Sequence, residues 1–209
     1  ALAEEIRTTV ARQWKVPKSC ILLHGTHSHS GPQTSEDHHS LLGTSDSAYL
    51  QQLKEKIYEG IELAFQDLEE VEMFKHRGEC RLGVQRRVVK DGKAVMQVNR
   101  DGLIDPEMLV YRFRRAQVGG GQEAKALFVH YAVHPVISRE NLVCAEFPGE
   151  AMKMLEQDRG ERCTAFYLQG CCGDINVDFT NEKHFLSGTQ ADILVYGARL
   201  KEAVDRALL

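Results

Sequence analysis

The chain has no excess of basic residues. Its 26 Lys and Arg stand against 30 Asp and Glu, a formal net charge of -4, which offers no basic surface for nucleic acid. It lacks any apolar run approaching the roughly 20 residues needed to cross a bilayer. Its first residues, AlaLeuAlaGluGluIleArg, lack the basic start and apolar middle of a signal peptide. We therefore expect no nucleic-acid partner and no membrane span. The six cysteines show no CxxC spacing, and the adjacent Cys171 and Cys172 have no second pair to complete a zinc site. A disulfide framework is not indicated either, because several cysteines sit in apolar runs where free Cys behaves as a small hydrophobe. Reduced thiols of a cytoplasmic protein are the default expectation. Internal repeats and low-complexity tracts are absent as well.

What is present is ordinary globular composition, with 43% hydrophobic and 27% charged residues. At 209 residues the chain can bury one sizeable core without needing two, so a single domain over 1–209 is expected. Leu2, Ile6, Val10 and Trp14 recur at four-residue steps and predict a helix. ValProLys ends it, and the apolar run CysIleLeuLeu (20–23) predicts a short buried strand ending at His24. From Gly25 to Asp46 the chain is mostly Gly, Ser, Thr, His and acid, broken only by Leu41 and Leu42. Loops of that length in compact domains usually carry function. Helical spacing returns with Tyr49, Leu53, Ile57 and Ile61. Strands follow between 71 and 133, with antiparallel hairpin turns expected at Asp91-Gly92 and at the triple glycine 119–121. A helix over about 148–157, a strand at 164–168, a glycine-bearing loop and a helix over about 189–208 complete an α/β reading. Its architecture is a mixed β-sheet with antiparallel hairpins, flanked by helices.

Chemistry-bearing residues gather at strand ends. HisGlyThrHisSerHisSerGlyPro (24–32) puts three imidazoles within six residues, flanked by small side chains that let a metal or substrate approach. His27 and His29 are two apart, on one side of an extended stretch, so one can ligate while the other faces substrate. His38 and His39 lie beside Glu36 and Asp37 and read as surface residues. A second run, PheValHisTyrAlaValHisPro (128–135), ends in His134, after which Pro135 forces the chain out of regular pairing. His130 is four residues earlier, about 13 Å away by strand rise, and reads as a core or supporting residue. The loop in TyrLeuGlnGlyCysCysGlyAspIleAsn (167–176) offers glycine backbone N–H groups with Asp174 and Asn176 as its polar side chains. An isolated Gly-Asp is as readily a plain turn.

Taken in order, ThrHisSerHisSerGlyPro (26–32), AsnArgAspGly with IleAspPro (99–106), AlaValHisPro (132–135) and GlyAspIleAsn (173–176) resemble the neutral and alkaline ceramidase family. The resemblance spans roughly residues 20–180 and implies an amidase that cleaves an N-acyl bond, with one zinc held by two His, a Glu and a Tyr. By position it makes His27 and His134 the metal ligands and His29 a substrate-contacting acid or base. Arg100 would stabilise developing negative charge, and Asp174 and Asn176 would line the pocket. The family's serine nucleophile is replaced by Asn176, which cannot attack, so metal-activated water is expected in its place. The Glu and Tyr ligands are not located here, and an initial strand region also finds no counterpart. The chain is thus expected to be the central part of such a domain, acting on a small-molecule or lipid-like amide. Two rival readings are a non-catalytic protein that keeps the fold and a metal phosphoesterase, which needs two metals.

Overall fold

The computed structural model describes residues 2–35, 43–116, 123–160 and 162–209. The expectations for His38, His39 and the triple-glycine turn lie outside the described residues. The chain divides into two compact units, one formed by Ala1–His24 with Pro32–Glu69 and the other by Gly25–Gly31 with Glu70–Leu209. The histidine loop thus belongs to the second unit although the chain on either side of it belongs to the first.

The first unit is helical. Helix α1 (Leu2–Trp14) buries Ile6 and Val10 from its predicted stripe. Helix α2 (Ser47–Gln66) starts at Asp46, whose carboxylate accepts the Ala48 and Tyr49 backbone N–H groups at 2.8 and 3.1 Å. Such an N-cap stabilises a helix by about 1 kcal/mol. Trp14 stacks on Phe65 with centroids 6.2 Å apart and donates its indole N–H to Glu62. The run at 20–23 is not the buried strand its composition predicts. Residues 18–20 form a 3-10 turn, 21–28 carry no regular structure, and Leu22 is 77% exposed. Four apolar residues cannot distinguish a strand from any other short segment, and among the described residues no strand pairs with this one.

The second unit holds the strands β1 (Val71–Glu79), β2 (Gly83–Lys90), β3 (Lys93–Asn99), β4 (Glu107–Arg115), β5 (Ala124–Tyr131), β6 (Thr164–Gln169) and β7 (Ile175–Val177), with helices α3 (Glu146–Arg159) and α4 (Gln190–Leu208). The class is α/β as expected, with the strands divided between two sheets. One runs β1-β4-β5-β6, antiparallel except for the parallel β5/β6 pair, and the other runs β3-β2-β7 and is antiparallel throughout. Asp91-Gly92 closes the β2/β3 hairpin, with Gly92 at φ 75°. The parallel pair follows from α3 intervening between β5 and β6, because parallel neighbours need a crossover.

Period-two alternation sends Leu127, Val129 and Tyr131 of β5, and Met108 and Val110 of β4, into one core. There they meet Phe147, Ala151 and Leu155 of α3 and Ile193, Leu200 and Val204 of α4. Burying each large aliphatic side chain stabilises the fold by about 1.5–3 kcal/mol. Helix α4 opens with a Thr189/Asp192 capping box. It approaches α3 at Gly197, where a Cβ would come within 2.9 Å of Glu150 Cβ and 3.2 Å of the Phe147 carbonyl. Strand β7 corrects the reading of 173–176 as loop throughout. Ile175, Asn176 and Val177 are buried and pair with β2, but three residues are too few to show a period. Among the described residues no helix is long and apolar enough to cross a membrane.

Candidate metal centre

His134 lies three residues beyond the end of β5, where its backbone N–H donates to the Ile175 carbonyl at 3.0 Å and a parallel bridge pairs it with Asn176. Its ring Nδ1 faces two carbonyl oxygens, those of Cys172 and Ile175. Carbonyls only accept, so Nδ1 must carry the proton and Nε2 presents a lone pair. This carbonyl–imidazole arrangement is the usual way a protein orients a histidine toward a metal. The His134 side is 3% exposed. Burial first, then the Arg86 charge, bring its pKa down to about 4, so the ring is neutral at pH 7.

The partner imidazoles come from 107 and 105 residues earlier in the chain. His27 Nε2 lies 3.1 Å from His134 Nε2, and His29 Nε2 lies 3.4 Å from His27 Nε2. All three nitrogens fall within 4.8 Å of one another, a grouping that could hold a metal ion. Two nitrogens bound to one tetrahedral zinc at about 2.05 Å stand roughly 3.3 Å apart. The 3.1 Å separation of His27 and His134 is close to that figure, so this pair fits a single metal ion of that size. His29 is itself driven toward the neutral form, by burial and then by His27 and Arg86. His27 adopts φ 63°, a left-handed conformation that a non-glycine residue holds at a cost of about 1 kcal/mol and that gathers at functional sites.

The segment just before α3 ties the two histidine loops together. Ser28 Oγ donates to the Cys144 carbonyl at 2.9 Å, and the Cys144 N–H donates to the Ser30 carbonyl at 2.8 Å. Two residues on, the fully buried Glu146 accepts the Ile137 and Ser138 backbone N–H groups at 3.1 and 2.8 Å, holding the chain that follows His134. Glu146 also has a positive φ, of 56°.

A cleft of about 190 Å³ opens beside the histidines. Its lining includes the polar His29, Arg86, Ser138, Arg139 and Asn176, and its remaining lining residues are apolar. Asn176 is buried, and its Oδ1 accepts Arg86 Nη1 at 3.1 Å. Asp174 is exposed, and its carboxylate accepts Gln85 Nε2 at 2.8 Å rather than closing a turn on itself. Arg100 forks onto Asp178 at 2.8 and 3.2 Å and reaches Thr180 at 2.9 Å, and it does not line the cleft. The structure therefore brings together His27, His29, His134 and Asn176, and engages Arg100 and Asp174 elsewhere. Arg86, Arg139 and Glu146 carry no motif that sequence reading could have used.

None of the known protein-family models matches the chain, and no curated protein does. Among solved structures it superposes on a ceramidase complexed with C2 (TM-score 0.75, 18% identity) and on the neutral ceramidase from Pseudomonas aeruginosa (TM-score 0.76, 19% identity). The fold is ceramidase-like. The superposition covers 100% of this chain and 34% of each of those chains, so the chain spans about a third of the ceramidases it matches.

Proposed function

We propose that this chain is the central part of a zinc-dependent hydrolase domain that cleaves an N-acyl bond. The observation that carries the reading is the group of three imidazoles, with His27 Nε2 at 3.1 Å from His134 Nε2 and 3.4 Å from His29 Nε2. The ceramidase-like fold supports the choice of an amide. His27 and His134 would hold the zinc, which supplies Lewis acidity toward a carbonyl oxygen and an activated water. His29, 3.4 Å from His27 and driven toward the neutral form, would take and return a proton at its Nε2. Asn176 offers an amide donor to a developing oxyanion. Arg100, forked onto Asp178 and outside the cleft lining, would order that carboxylate rather than meet the substrate. Asp174 orders the cleft edge through Gln85. The phosphoesterase reading is weaker, because among the described residues one metal-binding group occurs and it contains no carboxylate.

The test is elemental analysis of the purified protein, followed by hydrolysis of an N-acyl substrate panel. Zinc near one per chain is expected, falling at least tenfold in His27→Ala and His134→Ala. His29→Ala should keep its zinc and lose turnover by about a hundredfold or more. Loss of zinc in His29→Ala would make it a third ligand. Bound zinc without hydrolysis of any N-acyl substrate would favour a non-catalytic protein.

A further inference from the structure

The cleft beside the histidines has a charge pattern that a neutral ceramide does not need. Arg86 and Arg139 both line it, and among the described residues no Asp or Glu does. Among the described residues neither guanidinium has a carboxylate within ion-pair distance. Arg86 is half-buried and donates Nε and Nη2 to the Gly173 carbonyl at 3.2 and 2.7 Å and Nη1 to Asn176. A guanidinium has five N–H donors, so one hydrogen on each Nη is left for another acceptor.

Its placement is built into the sheet. The β2/β3 register shifts between Gln85 and Arg87, and the Arg86 backbone N–H turns to the Asp174 carbonyl at 2.8 Å. Such irregularities re-aim a side chain next to active sites. Arg139 follows a segment pinned from two sides. The Ser138 N–H is held by Glu146, and Ser138 bridges to Gly188, whose N–H donates to the Ile137 carbonyl at 2.8 Å. Asp174 acts on Arg86 without forming an ion pair, so the half-buried guanidinium can still take an anion directly. The same cleft is also lined by Met96, Val136, Phe179, Phe185 and Leu186. At about 190 Å³ the cleft is smaller than the 300–1,000 Å³ usual for drug-sized ligands.

We propose that this cleft binds a compact N-acyl compound whose carboxylate or phosphate group is held by Arg86 and Arg139 while a short apolar part lies against Phe185 and Leu186. The inference deepens the hydrolase reading and rests on it for the position of the scissile amide. Recognition of the anion needs only the two arginines.

The experiment is titration calorimetry on protein stripped of metal with EDTA, so that no anion is captured by the histidine site. Three probes share one acyl chain: N-butanoylglycine, the phosphate monoester of N-butanoylethanolamine, and uncharged N-butanoylethanolamine. At least one anionic probe should bind about tenfold or more tightly than the neutral one. Arg139→Gln should remove that advantage while leaving the neutral probe's affinity unchanged, and Arg86→Lys should reduce it. Whichever anion binds more tightly identifies the group. Equal affinity for neutral and anionic probes, no binding of any probe at millimolar concentration, or a preference that survives both substitutions would overturn the proposal. Zinc content and hydrolysis, measured separately on the metal-loaded protein, decide the hydrolase reading independently of this result.

Discussion

Removing the Glu146 carboxylate is the perturbation whose cost can be worked most directly. Glu146 is 0% exposed and accepts two backbone N–H groups, those of Ile137 and Ser138, which are themselves 0% and 6% exposed. In Glu146→Ala both donors lose their acceptor inside the protein. A buried donor left unsatisfied costs about 1–3 kcal/mol, and the lost side chain leaves a cavity beside α3. Together these give a loss of about 3–5 kcal/mol, offset in part because the deeply buried carboxylate no longer has to be desolvated. Glu146→Gln keeps one acceptor oxygen and sets its amide N–H groups against a backbone donor, so it should cost about half as much. The only tryptophan, Trp14, lies in the other unit, so fluorescence would miss the event. Urea unfolding followed by circular dichroism gives the global cost, and hydrogen exchange at the Ile137 and Ser138 amides gives the local one. Because those two amides hold the chain after His134, zinc affinity should fall with stability. A loss below about 1 kcal/mol in Glu146→Ala, with unchanged exchange at both amides, would refute the claim that this carboxylate holds the His134 loop.

Two further outcomes are expected. Gly83→Ala should destabilise the protein by about 2 kcal/mol in urea unfolding, because its Cβ would lie 2.6 Å from Ile175 Cγ2 and 2.7 Å from Val133 Cγ2. Since both neighbours flank His134 or its carbonyl partner, zinc affinity should fall too, and a variant with wild-type stability would mean that β2 yields freely there. In chelated protein, His134 has a folded pKa of about 4 against an unfolded value near 6.5. A depressed base favours the fold while neutral, so its contribution is complete above pH 6.5 and is lost as pH falls toward 4. That loss is on the order of 3 kcal/mol. His134→Gln should flatten the stability–pH curve in that window by a similar amount, and an unchanged curve would show that the ring titrates normally.

Sequence reading recovers the helices and most strands because their periods repeat over many residues, as in Ile6 and Val10 of α1 and in Leu127, Val129 and Tyr131 of β5. It also picks out His27 and His29, whose imidazoles cluster in a polar loop, and His134, which follows an apolar strand-like run and precedes Pro135. It fails where a residue's role depends on a partner far along the chain. The run at 20–23 has the composition of a strand without a pairing partner among the described residues, and β7 has a partner but only three residues. Glu146 reads as an ordinary acidic residue at a helix start, yet it is fully buried on the backbone of 137 and 138. Arg86 and Arg87 are one charged pair in a strand by sequence. Only the register shift beside them turns Arg86 to Gly173 and Asn176.

Asn176 and Arg86 act as a pair. The resemblance places a serine where Asn176 stands, and the bridge to His134 keeps that position beside the imidazoles. A serine hydroxyl ends one atom past Cβ, whereas the Asn carbonyl oxygen stands one atom further out and accepts Arg86 Nη1 at 3.1 Å. The exchange removes a nucleophile and gains an acceptor that orders a cation. The charge of that cation in turn helps hold His134 and His29 neutral, the state in which imidazole binds metal. If water attacks in place of the serine, the side chain at 176 no longer needs to react and is free to position Arg86. An ordered guanidinium with free N–H donors and no ion pair, beside the three histidines, suits an anionic substrate better than a neutral one.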